Sequence, residues 1–487
     1  MPAPEHALTD TETATTPAPT PAPKLPKAAN TSPWQGMSKA LKFFLILFLI
    51  LLMQIPMWMV GDLVRERSSY QQQAITDITQ QWAGPQTLIG PILVVPYTRK
   101  ETLTENNVTR QVAIKRHLYL LPDTFTVKGN LAPEVRKRGI YQAVLYQGKL
   151  LLSGKFLPQV PSTLDVDPKS VHWAESFFYV GVTDRRGIQP RTALRVNNTP
   201  LAIIPGSIHD ELPQQGLTIP LQAHLTPNVA LTYAMDLDLR GSDRLQILPV
   251  GKDSRIALAS SWADPSFEGF LPEARSVTAQ GFQANWAVSF FAREIPQYWK
   301  DSVLHLFTSG NASTVNYAPG LEKSTVTVGL LQLADHYQKT ERAMKYGILF
   351  TSLTFLAYFM IEVGRRLRIH VIHYILVGVA LAVFFLLLLS LAEVVGFNWA
   401  YGSAALATVL LIAGYTRSIA PRQQHPIFMW FASLLSFLYV YLFVLLQLKD
   451  YSLLIGAVGL FIILAVVMNI TRQINWYQED SDERPAS

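Results

Sequence analysis

The chain has 487 residues, of which 49% are hydrophobic and only 16% charged, with a formal net charge of +6 and no cysteine. Mean hydropathy is positive, which points to a polytopic membrane protein rather than a soluble globular one. The missing cysteines exclude disulfides, iron–sulfur clusters and thiol nucleophiles; the basic residues gather at the ends of apolar runs, where orientation in a bilayer explains them without nucleic acid.

Residues 1–38 are rich in Ala, Thr and Pro, with TPAPTPAPKLPK at their centre. They hold too few large apolar residues to offset the entropy of ordering, so the expectation is a disordered cytoplasmic tail. A polyproline arm is the alternative, but no aromatic or charged anchor marks a PxxP ligand.

Residues 43–60 read as the first transmembrane helix, preceded by Lys39 and Lys42 and, further back, Lys24 and Lys27. The run is longer than a signal-peptide core, and Val60-Gly61-Asp62 offers no small-x-small cleavage site. An uncleaved anchor with a cytoplasmic N-terminus follows. Beyond it, Ile75, Ile78 and Trp82 recur at helical spacing until Gly84-Pro85 stops the pattern, which predicts an amphipathic stalk. A second stalk, LADHYQKTERAMK with Asp335 and Lys339 at i,i+4, is expected to run into Tyr346 without a breaker.

Residues 62–344 are thus expected to form a periplasmic domain with a helical stalk at each end. Between the stalks the pattern is strands and turns. From Asn228 to Arg240, Val229, Leu231, Tyr233, Met235, Leu237 and Leu239 alternate with small or polar residues, the period of a half-buried strand. Gly241-Ser242 reads as the turn of a hairpin into RLQILPV, and Gln147-Gly148 as the turn joining IYQAVLY to KLLLSGKF. Phe282, Ala284, Trp286, Val288 and Phe290 repeat the alternation, and STVTV from Ser324 adds a short strand. At about 280 residues such a domain buries most of its chain surface and needs neither disulfide nor metal.

From Tyr346 to Ile361 there is no charge for about 16 residues, roughly 24 Å at a helical rise of ~1.5 Å, and Arg365, Arg366 and Arg368 close the far end. Residues 346–363 read as transmembrane helix 2. Four more follow at 373–391, 397–415, 427–446 and 451–470, with a cytoplasmic tail from 471 to 487. Arg365, Arg366, Arg368, Arg417, Arg422 and Arg472 fall on one side, whereas the opposite short loops hold a single basic residue. Both termini are therefore placed inside. Trp58, Trp399, Tyr401, Trp430, Trp476 and Tyr477 lie near span ends, as an interfacial aromatic belt would. The fold class expected is an α+β membrane protein, six transmembrane helices with a large antiparallel, sandwich-like β domain between helices 1 and 2.

No Walker loop, G-x-G-x-x-G after a strand, H-E-x-x-H or G-x-S-x-G elbow occurs. Ser207, His209 and Asp210 are triad residue types, but neighbours in one loop do not converge as nucleophile, base and orienter. His370 and His373 are spaced i,i+3 without a third ligand at metal spacing and read as interfacial histidines. No cofactor is expected. Carboxylates in or beside apolar spans are the better candidates, because their desolvation is costly and they often mark a coupling site. Glu362 is one turn from Arg365 and Arg366, so an ion pair at the cytoplasmic boundary is the plain reading. Glu393 begins a short periplasmic loop, either solvated or touching the domain above. Gln447 ends a span.

GPILVVPY near Gly90, ADPSFEGFLP near Asp264, GFQANW near Phe282, KYGILFTSLTFLAYFMIE from Lys345, LLLLSLAEVVGF around Glu393 and the closing INWY together resemble the CreD family of bacterial inner-membrane proteins. The resemblance covers about Met37 to Tyr477. It departs from the family pattern at Ala263-Asp264, where Pro-His is usual, and at His370-Val371-Ile372-His373, where His-Pro and Gln are usual. It implies a non-enzymatic role in envelope integrity, with tolerance to colicins and cell-wall antibiotics, expression linked to a two-component system, and no assigned reaction. The partners it leaves open are the lipid bilayer and an envelope protein, lipid or peptidoglycan-related ligand. A transporter or lipid-handling permease built on the C-terminal helices is the alternative, although paired midplane charges, broken helices and an inverted repeat are missing from the spans.

Overall fold

The computed structural model describes residues 39–105, 108–209, 212–301, 307–308, 316–317, 321–330, 335–364, 369–419, 426–448 and 452–472. The tail 1–38, Asp210, the pair Arg365 and Arg366, and residues 473–487 lie outside the described residues. Eight helices occur among those described: α1 Lys39–Leu52, α2 Gln54–Trp82, α3 Asp335–Lys345, α4 Gly347–Gly364, α5 Val371–Val395, α6 Phe397–Ile419, α7 Pro426–Gln447 and α8 Ser452–Thr471. The chain divides into two compact units, one of residues 1–56, 347–382 and 448–487 and one of residues 57–346 and 383–447.

Among the described residues four helices are long and apolar enough to cross a membrane, and five if the pair interrupted at Tyr346 counts as one span. Six spans are expected from the sequence. The last expected span falls on α8 Ser452–Thr471, within which the described apolar stretch is Leu454–Val466.

In the second unit, α2 stops at Trp82, ahead of Gly84-Pro85, because proline disfavours helical geometry in the residue before it. The strands follow: β1 Gln86–Glu105, β2 Val108–Leu120, β3 Thr124–Arg138, β4 Tyr141–Phe156 and β5 Phe177–Val182, with shorter ones after them. They build a nine-stranded and an eight-stranded sheet around one continuous core. Leu88, Ile89 and the run Ile92–Val95 in β1 are all fully buried, as a strand covered on both faces requires. Gly90 has φ +101°, the Gly90–Pro91 peptide is cis, and the register against β5 shifts between Ile89 and Ile92. A Cβ on Gly90 would lie 2.7 Å from the Tyr179 carbonyl oxygen, so glycine is needed for both the dihedral and the close approach.

Three local expectations are corrected. Gln147-Gly148 is no turn, since β4 runs unbroken through it and pairs with β3 and with the Leu231–Ser242 strand. Gly148 leaves room there for Leu131 and the Leu239 carbonyl, whereas the β3–β4 turn uses Gly139 at φ +61°. Gly241-Ser242 does not close a hairpin either. The Leu231–Ser242 strand belongs to one sheet and the Arg244–Ile247 strand to the other, the latter running parallel to β1, and Asp243 at φ +65° passes the chain between them. The sheets are accordingly mixed, with a second parallel pairing between β3 and the Asp253–Ser260 strand. Val229 lies before the strand and is 56% exposed.

The second stalk is likewise interrupted. Tyr346 N–H bonds to the Ala343 carbonyl at 3.1 Å, a tightened i to i−3 turn, and Gly347 follows it. In the first unit, the helix breaks at Met53, three residues before Pro56, whose ring cannot donate to Leu52.

The candidate functional site

Glu393 does not start a loop. It occupies the last turn of α5, which ends because Gly396 adopts φ +80° and returns its N–H to the Ala392 carbonyl at 3.2 Å, a left-handed glycine cap that turns the chain straight into α6. That turn aims the Glu393 carboxylate at the second stalk, where Tyr337 donates its hydroxyl to Glu393 Oε1 at 2.8 Å. Tyr337, Val64 of α2 and Leu389 of α5 form a small buried cluster, with Leu63, Tyr141 and Met344 packed against it. Tyr141 follows the β3–β4 turn. Both stalks, a β hairpin and the end of α5 therefore meet at one place, and all four belong to the same compact unit.

The electrostatics of this junction are those of a compensated carboxylate. The charge of Glu393, with a hydrogen bond to the Tyr141 hydroxyl, raises the pKa of the Arg67 guanidinium on the first stalk. Burial, reinforced by the bond to Glu393, pushes the Tyr337 phenol far up, so it remains a donor. Beside the junction opens a cavity of about 540 Å³, lined among others by His336, Lys339, Glu393, Asn398 and Trp399. Lys339 Nζ stands 5.5 Å from the centroid of the Phe397 ring.

The first stalk is fastened to the β domain at its far end. Trp82 lies between two guanidinium groups, Arg136 at 4.2 Å and Arg240 at 4.3 Å from the ring centroid. Arg138 pairs with Asp77 at 2.7 Å, and Arg186 donates to the Gln80 carbonyl at 2.7 Å.

Glu362 forms a separate node within the first unit. It is only 5% exposed. Lys42 of α1 approaches Oε1 at 3.1 Å and the Tyr374 hydroxyl of α5 donates to Oε2 at 2.9 Å. The expected partners Arg365 and Arg366 lie outside the described residues, and the bonds the carboxylate makes among those described reach two other helices. Lys42 was legible only as a flanking charge, and Tyr374 carried no signal beyond its place in an apolar run.

The remaining candidates resolve locally. Ser207 Oγ donates to the His209 backbone carbonyl at 2.7 Å and accepts from its N–H at 3.0 Å, while the His209 ring stacks on Phe177. His370 Nδ1 accepts the Ile372 N–H at 3.3 Å, at the start of α5. Gln447 donates to Asn398 Oδ1 at 2.8 Å. Among the described residues no group of three or more His, Cys, Asp or Glu is placed to hold a metal ion.

The junction uses the sequence around LAEVVGF, and the wider chain carries the same signature: residues 38–477 match the family profile described as Inner membrane protein CreD. The chain belongs to the CreD family. A curated relative, the Inner membrane protein CreD of Escherichia coli strain K12, is 34% identical over 431 residues, covering 88% of this chain and 91% of the relative. CreD membership and the apolar helices together make this a membrane protein, and the matched region contains Glu362, Glu393, both stalks and every strand of the β domain.

Proposed function

We propose that this CreD-family chain is a non-enzymatic inner-membrane protein that supports envelope integrity under stress from colicins and cell-wall antibiotics. Its β domain faces the periplasm and engages an envelope ligand or partner, and the engagement is relayed to the membrane helices where Tyr337 meets Glu393. The observation that carries this reading is the 2.8 Å hydrogen bond between them, which ties a stalk leaving the β domain to the end of a membrane helix. Because the second stalk is interrupted at Tyr346, a continuous rod is not the route. A lateral contact is the alternative path, and this is the one available beside Arg67 and Tyr141. Expression under a two-component system belongs to the same reading.

The test is complementation of a strain lacking its own CreD protein, scored as survival under a colicin or a β-lactam. Tyr337→Phe removes one hydroxyl and Glu393→Gln one charge, at normal membrane levels of protein. Loss of protection in both variants is the expected result. Full protection by both would leave the membrane helices as an anchor only.

The second reading, a lipid-handling permease, has one observation in its favour: an apolar groove of about 350 Å³ between α6 and α7, bordered by Tyr401, Ala405, Val409, Tyr439 and Phe443.

A further inference from the structure

The strands that end the two sheets of the β domain leave free edges, and most of these are protected against pairing with another chain. The Thr199–Leu201 strand has three residues and contains Pro200, and the Ile204–Pro205 strand has two and ends in proline. The Tyr298–Lys300 strand has three, and Lys300 donates to the Leu164 carbonyl at 2.6 Å. The Ser266–Gly269 strand carries Glu268 and ends where Gly269 turns to φ +71°. Short length, proline, charge and a change of backbone direction are the devices that blunt an edge. The Ala274–Thr278 strand is the exception. It is the longest of these edges at five residues, it holds neither proline nor glycine, and all five positions are exposed. One side of it pairs with the Gly281–Ser289 strand, and among the described residues no strand pairs with the other. Alternate backbone N–H and C=O groups on that side are directed outward, at the spacing of a β ladder.

The side chains define what fits this edge. Val277 stands opposite Phe282 and Arg275 opposite Ala284 in the pairing with Gly281–Ser289. Opposed residues share a face, and Phe282 and Ala284 are buried, so Val277 and Arg275 point to the core side of the sheet. Val277 is nonetheless 47% exposed, because the strand overhangs the core. Phe267 of the other sheet lies beside the overhang, its ring 5.6 Å from that of Phe282 and 5.9 Å from the Arg275 guanidinium. That ring is the contact Arg275 makes, and among the described residues it has no ion pair. An incoming strand thus meets a backbone ladder, an apolar position at Val277 and a cation at Arg275. A second copy of the chain fits poorly. Antiparallel self-pairing over the whole strand centres on Ser276 and sets the two Arg275 side chains diagonally across the two-fold axis, where like charges are within reach and repel. We infer that this edge receives an extended segment of another protein, which adds a strand to the sheet with an apolar residue opposite Val277 and an acidic residue opposite Arg275. The inference names the partner class for the envelope engagement proposed above and rests on that reading for its consequence. The pairing itself does not depend on it.

The probe is a fluorescein-labelled heptapeptide in which threonine alternates with valine, valine and glutamate. It is titrated into the full-length chain purified in detergent, and binding is read by fluorescence anisotropy. Saturable binding is expected. Methylating the backbone nitrogens of the threonines, or those of the residues between them, closes one hydrogen-bonding edge of the peptide at a time. One of the two methylated peptides should bind about tenfold more weakly, having lost at least two hydrogen bonds, and the other should bind as before. Arg275→Glu changes an exposed side chain; it should weaken the glutamate peptide about threefold and favour a version with lysine in its place. No binding, equal behaviour of the two methylated peptides, or an unchanged preference in Arg275→Glu would overturn the inference. A dimer of the purified chain that excess peptide dissociates, seen by native mass spectrometry, would assign the edge to a second copy and overturn it as well. Peptide binding by a chain whose Tyr337→Phe variant complements fully would remove the relay and keep the edge; the reverse pair of results would remove the edge and keep the relay.

Discussion

Tyr374 donates a 2.9 Å hydrogen bond to Glu362, and the carboxylate also meets Lys42 at 3.1 Å, so one acidic side chain joins α1, α4 and α5. Glu362 is buried while Lys42 keeps part of its surface exposed. A buried carboxylate deprived of its counter-charge is costly, whereas removing both partners relieves the penalty. Lys42→Met alone should therefore destabilise the chain more than Lys42→Met made in a Glu362→Gln background. A coupling of about 1 kcal/mol is expected from a double-mutant cycle on unfolding in detergent, in the range found for residues in contact. Zero coupling would show that Lys42 is held by something other than Glu362.

Gly90 gives a backbone prediction independent of any membrane. Its φ of +101° is a conformation that L side chains rarely adopt, and an added Cβ would press against the Tyr179 carbonyl and the Ile92 nitrogen in the middle of the nine-stranded sheet. Strain of this kind costs about 1–3 kcal/mol, and a contact with backbone atoms cannot be relieved by a rotamer change. Gly90→Ala should lower the thermal midpoint of the β domain, read by near-ultraviolet circular dichroism, by several degrees or more. An unchanged midpoint would contradict the register shift between Ile89 and Ile92.

The β domain also carries a pH signature. Tyr146 and Tyr233 are buried in its core, and burial pushes both phenols above their ordinary range. The folded state then keeps protons that the unfolded chain gives up above about pH 10. Stability from these groups is fully present below that point and falls as pH rises, by about 1.4 kcal/mol per pH unit and per tyrosine. Urea unfolding between pH 7 and 11.5 should show a flat neutral region and a falling alkaline limb. Tyr233→Phe should make that limb shallower, and a limb of equal slope would refute the assignment.

These cases also show which features could be read before the structure. The alternation from Leu231 to Leu239 is a statement about neighbours two apart, and the strand there buries all five of its apolar positions. Gly148 misled because glycine serves a tight turn and a close strand crossing equally well, and only its partners Leu131 and Leu239 tell which. The exchange of sheets at Asp243 depends on β1, more than a hundred residues away in sequence, and no local pattern encodes it. Glu362 and Glu393 stood out because a carboxylate near an apolar run is costly. Their partners did not: Tyr337 is 56 residues from Glu393 and Lys42 is 320 from Glu362, and each looks like an ordinary stalk or flank residue on its own element.

The orientation of the whole chain in the membrane can be tested directly. It rests on the arginines: Arg417 and Arg472 are expected on the side of the N-terminal lysines, opposite the α5–α6 turn, whose residues 392–396 carry no basic side chain at all. If that distribution governs insertion, the β domain and the Glu393 junction face the periplasm, and both termini face the cytoplasm. The chain has no cysteine, so single cysteines can be introduced without background. Asp264 lies on an exposed bend of the β domain, away from the stalks in sequence, and its replacement should not disturb the core. In intact cells an impermeant maleimide should label Asp264→Cys and spare Ser487→Cys, and both should react once the membrane is opened. A third label at Val394, which is 79% exposed beside the junction, reports on the turn itself. It should behave like Asp264, since the three apolar segments between that turn and the C-terminus, α6, α7 and α8, would return the chain to the cytoplasmic side. Labelling of Ser487→Cys in intact cells, together with Asp264→Cys, would mean that the chain crosses the membrane an odd number of times, and that α8 does not complete a sixth span.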